Sequence, residues 1–256
     1  PPPPPPPPPL DRRRVRAWGL YDFANSAYAA VILAVVFNNY FVRVIVENET
    51  GRGDQLWGWV VATSMIIVAL TSPVLGAVAD RAGVRKRMLL AFTTLCVTCV
   101  ALFSTIQRGM VLWAFVLAVL ANVGFEGGIV YYNAYLPDIA PPARRGEVSG
   151  LGYGIGYAGS AVSLLLALPL VNAGRFDLTW VMVALFFVIF ATPLFRVIQP
   201  DAPRGLTMQQ AAIDGVRHFR RILGNVLGVP ALRRFLAAYF VYIDGVETTI
   251  IFASIY

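Results

Sequence analysis

The chain has 256 residues, of which 57% are hydrophobic and 14% charged, and 21 basic against 14 acidic side chains give it a net charge of +7. This composition is too apolar for an ordinary soluble domain, and it excludes a disordered or disulfide-stapled chain. Two cysteines inside an apolar run and a single histidine provide no His-rich metal site and no Ser-His-Asp triad, so we expect a membrane protein that is not an enzyme and needs no cofactor.

Runs long enough to cross a bilayer recur along the chain. A helix needs about 20 apolar residues to span the hydrocarbon core. Runs of that size predict seven spans, at 23–42, 55–79, 88–107, 109–137, 148–174, 178–195 and from 235 onward. Glu126 interrupts the fourth span, and Asp244 and Glu247 lie in the seventh. The predicted fold class is therefore an all-α polytopic membrane protein.

The remaining segments divide the chain into domains. Residues 1–16 form a Pro-rich and basic leader, and residues 17–198 form a six-helix transmembrane bundle. Residues 199–234 form a linker before the seventh helix at 235–256. Apolar side chains repeat on one helical face of the linker, at Ile213, Val216, Ile222 and Val226. Arginines flank this stripe, which predicts an amphipathic helix on the inner membrane surface; a plain linker is the alternative.

Basic residues gather on alternate connections between the predicted spans. Four precede the first span, four separate spans two and three, two separate four and five, and seven separate six and seven. The other connections hold only Arg43, Arg52, Arg108 and Arg175. The positive-inside rule therefore predicts that the N-terminus and the linker are cytoplasmic. Because topology accounts for the positive charge, no nucleic-acid partner is expected.

A motif rich in glycine and arginine follows the second predicted span. It contains Gly76, Asp80, Arg81, Gly83 and Arg85. The glycines allow a tight turn and a close approach of helices, while Asp80 can pair with arginines or cap a neighbouring helix. The motif therefore predicts a latch that breaks when helices move. The alternative is a positive-inside turn that happens to hold an aspartate.

This motif resembles the loop between helices two and three of the major facilitator superfamily. It departs from the family pattern at Val84, where the family usually has a basic residue. Three further stretches carry the resemblance, namely YDFANSAY at 21–28, YYNAYLPD at 131–138 with RGEVSG at 145–150, and FLAAYFVYIDGV at 235–246. Together they resemble the branch that includes the vacuolar amino-acid effluxers linked to autophagy and their bacterial relatives.

The resemblance implies twelve helices in two halves around a central cavity that opens alternately to each side of the membrane. On that pattern, this chain holds the N-terminal six-helix bundle plus the first helix of the second half. The implied function is secondary active transport of small solutes, of the amino-acid class, coupled to protons or another ion. The implied location is the inner membrane of a bacterium, or a vacuolar or lysosomal membrane in a eukaryote.

Polar and ionisable side chains within the spans are candidates for the solute and ion pathway, because placing them in hydrocarbon is costly. Asp22 and Asn25 share one face of the first span. Asn122, Glu126 and Asn133 form one polar stripe on the fourth span, which we expect to face a cavity. A carboxyl group in that position can hold a proton and exchange it for a solute or cation. The alternatives are a capping role for Asp22 and a helix-bridging role for Glu126.

The seventh span carries a close acidic pair. Asp244 and Glu247 are three residues apart, so repulsion between them favours a proton on one of the two. We expect Asp244 and Glu126 to face the same central cavity. The alternative is that the pair binds partners on helices of the second half.

Two other functions were weighed against transport. One is a truncated fragment that transports nothing or that pairs with a second copy, and the other is a seven-helix receptor. The N-terminus is predicted to be cytoplasmic, and the only lysine, Lys86, lies in a loop and so cannot form a retinal Schiff base in the seventh span. These features favour a transporter over a receptor, with the lipid bilayer and a small solute as partners.

Overall fold

A computed structural model describes residues 10–47, 51–201 and 208–252 of the chain. The polyproline tract and the side chains of Asp80, Arg81, Ile222 and Glu247 lie outside this description. Every regular element within the described ranges is a helix or helical turn. The all-α prediction is therefore confirmed for the described part of the chain.

Six of the described helices are long and apolar enough to cross a membrane. They are α1 (Arg12–Ile45), α2 (Arg52–Ala82), α3 (Arg85–Leu102), α4 (Val111–Asn133), α5 (Arg145–Asn172) and α6 (Phe176–Val197). Two more helices follow, α7 (Met208–Gly228) and α8 (Pro230–Phe252). A bend of 101° separates α7 from α8, and together they provide up to one further span. Helices α1 to α6 coincide with the first six predicted spans.

Helix α1 changes its winding halfway along the span. It begins at Arg12 with Asp11 as its cap, whose carboxylate accepts hydrogen bonds from two backbone N–H groups of the first turn at 3.0 and 3.3 Å. From Tyr28 to Val35 it is a π-helix, so the N–H of Val36 donates to the carbonyl of Val31 at 2.9 Å. Segments of π-helix inside α-helices are frequent at functional sites.

Helix α5 packs closely against α1 because glycines line the interface. A Cβ atom added at Gly156 would lie 2.9 Å from both the Asp22 carboxylate and the Ser26 hydroxyl. A Cβ atom added at Gly159 would lie 2.8 Å from the backbone Cα of Phe23. The glycine-rich sequence of α5 is thus explained by close helix packing, which the small-residue spacing predicts.

A second glycine interface joins α4 to α3. A Cβ atom added at Gly124 would lie 2.6 Å from the backbone nitrogen of Cys96, and one added at Gly127 would lie 2.5 Å from the ring of Phe92. Cys96 and Cys99 are both buried and unbonded to each other. These contacts determine which face of α4 packs against α3, and therefore which face of α4 points away from α3.

The loop between α2 and α3 is set by one glycine. Gly83 ends α2 in the left-handed conformation, with φ of 68°, and its N–H bonds the carbonyl of Ala79. Side chains rarely adopt that conformation, so glycine is the residue that fits this turn. Helix α3 then begins at Arg85, directly after Val84.

Helix α7 lies in the linker, where the sequence predicts an amphipathic helix. In the structure α7 packs against α2, and α8 contacts the π-helical segment of α1. Its location on the inner membrane surface stays a prediction.

Candidate functional site

A cavity of about 580 Å³ lies between α1, α4 and α5, and we call it the polar cavity. Ten polar or charged side chains line it, in addition to the aromatic side chains of Trp18 and Tyr132. They are Asp22, Asn25, Ser26, Asn122, Glu126, Asn133, Ser149, Tyr153, Tyr157 and Ser160. Apolar lining side chains, such as Phe125 and Ile129, separate these groups. A concave mixture of apolar walls and a few polar groups is typical of small-molecule sites.

The polar cavity collects five of the seven residues predicted for the solute pathway. They are Asp22 and Asn25 on α1, and Asn122, Glu126 and Asn133 on α4. The sequence placed each set on one face of its own helix, and the structure brings the two faces together. Whether these side chains bind a solute or an ion stays a prediction.

Asp22 occupies the wall of the polar cavity on α1. Its side chain is half-buried, and no described residue donates a hydrogen bond to its carboxylate. The absence of a side chain at Gly156 leaves room for that carboxylate, as the 2.9 Å spacing shows. The Asp22 carboxylate is therefore available to a ligand that enters the cavity.

Asn122 is held in place by helix α2. Its Nδ2 atom donates to the hydroxyl of Ser64 at 2.6 Å, and the same hydroxyl donates to the carbonyl of Val61 at 2.8 Å. The other amide atom of Asn122, Oδ1, is buried and has no partner within the described part of the chain. A buried acceptor without a partner is costly, so Oδ1 is a place where a donor group of a ligand or a water would be stabilised.

Stacked aromatic rings form the wall of the polar cavity near the N-terminal end of α1. The indole of Trp18 stacks on Tyr132 with ring centroids 4.5 Å apart, and its Nε1 donates to the Tyr132 carbonyl at 3.2 Å. Tyr21 also stacks on Tyr132, with ring centroids 5.1 Å apart, and shares a 2.7 Å hydrogen bond with Thr93 of α3. This cluster joins α1, α3 and α4 into one unit.

Sequence reasoning missed the contribution of α5 to the cavity. Ser149, Tyr153, Tyr157 and Ser160 line it, and none of them is among the residues predicted for the solute pathway. The signal was present in the spacing, because positions 149, 153, 157 and 160 follow one face of a helix.

The acidic pair of the seventh span does not join this site in the described part of the chain. Asp244 lies on α8 with an exposed side chain, and it is not among the residues that line the polar cavity. The side chain of Glu247 is outside the described residues. Their contribution to a central cavity stays a prediction.

The motif after α2 is connected to the rest of the bundle through Arg85. Its guanidinium lies 2.7 Å from carboxylates of both Asp201 and Asp138, and it donates to the carbonyl of Ala134 at 3.2 Å. Asp201 also accepts from the backbone N–H of Arg85 at 3.0 Å, at the N-terminus of α3. A carboxylate there is stabilised by the helix dipole as well as by the guanidinium.

This contact, which we call the Arg85 tie, joins three parts of the fold. It connects the start of α3, the end of α4 and the segment that follows α6. Lys86 adds a hydrogen bond from its Nζ to the carbonyl of Ile198 at 2.7 Å. The sequence singled out Arg85 but not its partners Asp138 and Asp201. The side chains of Asp80 and Arg81, where the latch is predicted, lie outside the described residues. A Cβ atom added at Gly76 would meet nothing within 4 Å.

Curated proteins with related sequences are bacterial. The chain is 27% identical over 259 residues to an uncharacterised MFS-type transporter, YxiO, of Bacillus subtilis, covering 95% of this chain and 60% of that protein. It is 24% identical over 226 residues to an uncharacterised protein of Aquifex aeolicus, covering 87% of this chain and 55% of that protein. A D-xylose transporter of Levilactobacillus brevis is 26% identical over 178 residues, covering 68% of this chain and 37% of that protein.

The chain thus spans about half the length of these relatives. No solved structure matches it. Residues 58–256 match the family described as vacuole effluxer Atg22 like, which is most of the chain and extends from α2 through α8. With its six apolar helices, the chain is an integral multi-pass membrane protein that belongs to the vacuole effluxer Atg22-like family of major-facilitator-type transporters.

Proposed function

We propose that this chain forms the N-terminal half of a secondary active transporter, and that the polar cavity is its half of the solute site. The supporting observation is that five pathway residues, predicted separately on α1 and α4, line one cavity of about 580 Å³. On this proposal the second half completes the cavity, which opens alternately to each side of the membrane.

The chemistry of the cavity favours a solute that carries an amino group. Its lining includes the carboxyl groups of Asp22 and Glu126 and no lysine or arginine among the described residues. An ammonium group of the solute pairs with Asp22, whose carboxylate has no donor among its described neighbours. The amide of Asn122 and the hydroxyls of α5 bind the other polar atoms. We therefore propose amino acids as the solute class, which the resemblance of the sequence to vacuolar amino-acid effluxers also implies.

A sugar is the second candidate, on two observations. The lining combines amides, hydroxyls and aromatic rings, which are groups that bind neutral polyols, and a relative of the chain is named a D-xylose transporter. The two candidates differ in charge. An amino acid requires the negative charge of Asp22, whereas a neutral sugar needs only its hydrogen-bonding capacity.

We propose that the Arg85 tie acts in gating. Alternating access requires contacts that hold one state and break in the other. In the Arg85 tie, two carboxylates pair with one guanidinium near the ends of helices. The tie can therefore be broken without exposing the apolar core. Asp80 is proposed to contribute to the same gate, as the motif indicates.

The proposed function is tested with the transporter reconstituted into liposomes, with labelled amino acids and labelled pentoses offered in parallel. Asp22→Asn keeps the size of the side chain and removes its charge. We expect it to lower amino-acid uptake by about tenfold or more, since a charge-assisted hydrogen bond contributes roughly 1.5–3 kcal/mol. Glu147→Gln is the control, because Glu147 is an exposed carboxylate paired with Arg144 outside the cavity.

The outcomes separate the candidates. Loss of amino-acid uptake in Asp22→Asn, with normal uptake in Glu147→Gln, supports the amine-bearing solute. Pentose uptake that survives Asp22→Asn favours the sugar. Amino-acid uptake that is equal in all three proteins contradicts the pairing of the solute's ammonium group with Asp22 in the polar cavity.

Proton coupling is proposed for Glu126 and Asp244. If either one couples protons, Glu126→Gln or Asp244→Asn should still exchange solute across the membrane but lose the accumulation that a pH gradient drives. Unchanged gradient-driven accumulation in both variants would exclude these carboxylates as coupling groups.

A further inference from the structure

A second cavity, lined by charged side chains, lies between the first turns of α1 and the last turns of α6. Its volume is about 550 Å³, and we call it the arginine pocket. Its lining residues are Arg12, Arg13, Arg16, Ala17, Leu20, Pro193, Arg196 and Val197. Four arginines from two helices thus line one open pocket together with apolar side chains.

The arginines of this pocket have no carboxylate partner among the described residues. Arg12, Arg13, Arg16 and Arg196 are exposed and form no ion pair with any described residue. Arg14, by contrast, pairs with Asp11 at 3.3 Å and does not line the pocket. No acidic side chain lines the pocket among the described residues, so the positive charge inside it is uncompensated.

The pocket continues into a face of α6 that has no protein partner in the described bundle. Leu185, Ile189, Pro193 and Arg196 follow one another at intervals of four, four and three residues, which places them on one ridge of the helix. Leu185 is 55% exposed and Ile189 is 59% exposed. In a membrane such an apolar ridge faces lipid chains, and the ridge ends at a guanidinium at the end of the span.

The order of groups along α1 is the same. Arg12 and Arg16 lie at the helix start, and Leu20 lies about 12 Å further along from Arg12 at roughly 1.5 Å per residue. Both walls of the pocket therefore change from guanidinium to hydrocarbon in the same direction. A ligand that matches them has an anionic head and an apolar tail.

We propose that the arginine pocket binds one anionic phospholipid, with its phosphate among the four arginines and an acyl chain along the Leu185–Ile189 ridge. Basic pockets between transmembrane helices are known as sites for anionic headgroups, and guanidinium groups bind phosphate through paired hydrogen bonds. The site is separate from the polar cavity and is lined by none of the same residues. It binds the lipid whether or not the proposed transport function holds.

The test compares lipid binding by the purified protein in detergent, measured by native mass spectrometry. The probes are phosphatidylglycerol and phosphatidylcholine with identical acyl chains, and glycerol phosphate as a headgroup without chains. We expect a clear preference for phosphatidylglycerol in the unmodified protein. In the triple variant Arg12→Gln, Arg16→Gln, Arg196→Gln we expect that preference to fall by about tenfold or more, given that each basic residue contributes roughly fivefold.

The matched control removes the same number of charges elsewhere on the side predicted to be cytoplasmic. It replaces Arg217, Arg220 and Arg221 of α7 with glutamine, and we expect it to keep the preference. A second variant, in which Arg12, Arg16 and Arg196 become lysine, preserves the charge that sets topology. It should fold and insert normally while binding the lipid more weakly than the unmodified protein.

Each result bears on the proposal. The proposal is supported if the preference for phosphatidylglycerol is lost in the glutamine triple variant, kept in the α7 control and intermediate in the lysine variant. Equal loss in the pocket variant and the α7 control would show general attraction to charge and would overturn it. Binding of glycerol phosphate as tight as that of phosphatidylglycerol would also overturn it, because the acyl chain would then contribute nothing.

Discussion

The glycine interface between α1 and α5 makes opposite predictions for two alanine substitutions on the same helix. At Gly159 an added Cβ atom lies 2.8 Å from the Cα atom and 2.9 Å from the carbonyl carbon of Phe23. Both are backbone atoms of α1, so no side-chain rotation relieves the contact. At Gly154 an added Cβ atom meets nothing within 4 Å.

The size of the effect follows from those distances. Carbon atoms prefer separations of about 3.5 Å or more, so Gly159→Ala must move α1 away from α5 by roughly 0.7 Å. Overpacking of that kind costs about 1–3 kcal/mol, which corresponds to a melting temperature lower by roughly 2–12 °C for a chain of this size. Gly154→Ala instead removes glycine from a helix interior without a clash. It should stabilise by about 0.5–1 kcal/mol and raise the melting temperature slightly.

The two buried cysteines provide the assay. Cys96 and Cys99 on α3 are 0% and 3% exposed, so a thiol-reactive fluorescent dye labels them only when the bundle opens. Labelling during a temperature ramp then reports unfolding in detergent. If Gly159→Ala melts at or above the temperature of Gly154→Ala, the close approach of α1 and α5 is wrong.

The same assay tests two other contacts. Asn122→Ala and Ser64→Ala should each lower the melting temperature. A double-mutant cycle should give a coupling energy of about 0.6 kcal/mol, which is typical of hydrogen bonds between transmembrane helices. Additive effects of the two substitutions would mean that the hydrogen bond contributes nothing. Arg85→Gln should destabilise by about 1.5–3 kcal/mol and by more than Asp201→Asn, since Arg85 has further partners. Arg144→Gln, which removes an exposed pair, should change the melting temperature by less than about 2 °C, and an equal effect at Arg85 and Arg144 would contradict the structural importance of the Arg85 tie.

The sequence predicted the helices of the bundle well because span length and charge placement are local properties. It also placed Asn122, Glu126 and Asn133 on one face of α4, since helical periodicity is fixed by the backbone. It could not predict that Ser64 holds Asn122, because that contact depends on how α2 and α4 pack.

The partners of Arg85 also could not be predicted from the sequence, because they are far from it along the chain. Asp138 is 53 residues away and Asp201 is 116 residues away. Asp138 lies in the short helical turn Leu136–Ile139 after α4, and Asp201 lies shortly after the end of α6, in connections where many polar residues are expected in any case. The motif predicted that a charged contact forms at this place, but only the folded chain determines which carboxylates approach the guanidinium.

The π-helical segment of α1 changes how a mutational scan of that helix should be designed. Each turn between Tyr28 and Val35 holds more residues than an α-turn, so a helical wheel drawn through the whole span assigns wrong directions beyond that segment. Asp22 and Asn25 precede it, and Asn38 and Asn39 follow it. A substituted-cysteine scan should therefore show one offset in its accessibility pattern between Ala27 and Val36, and a second offset across the further π-helical turn Phe41–Ile45.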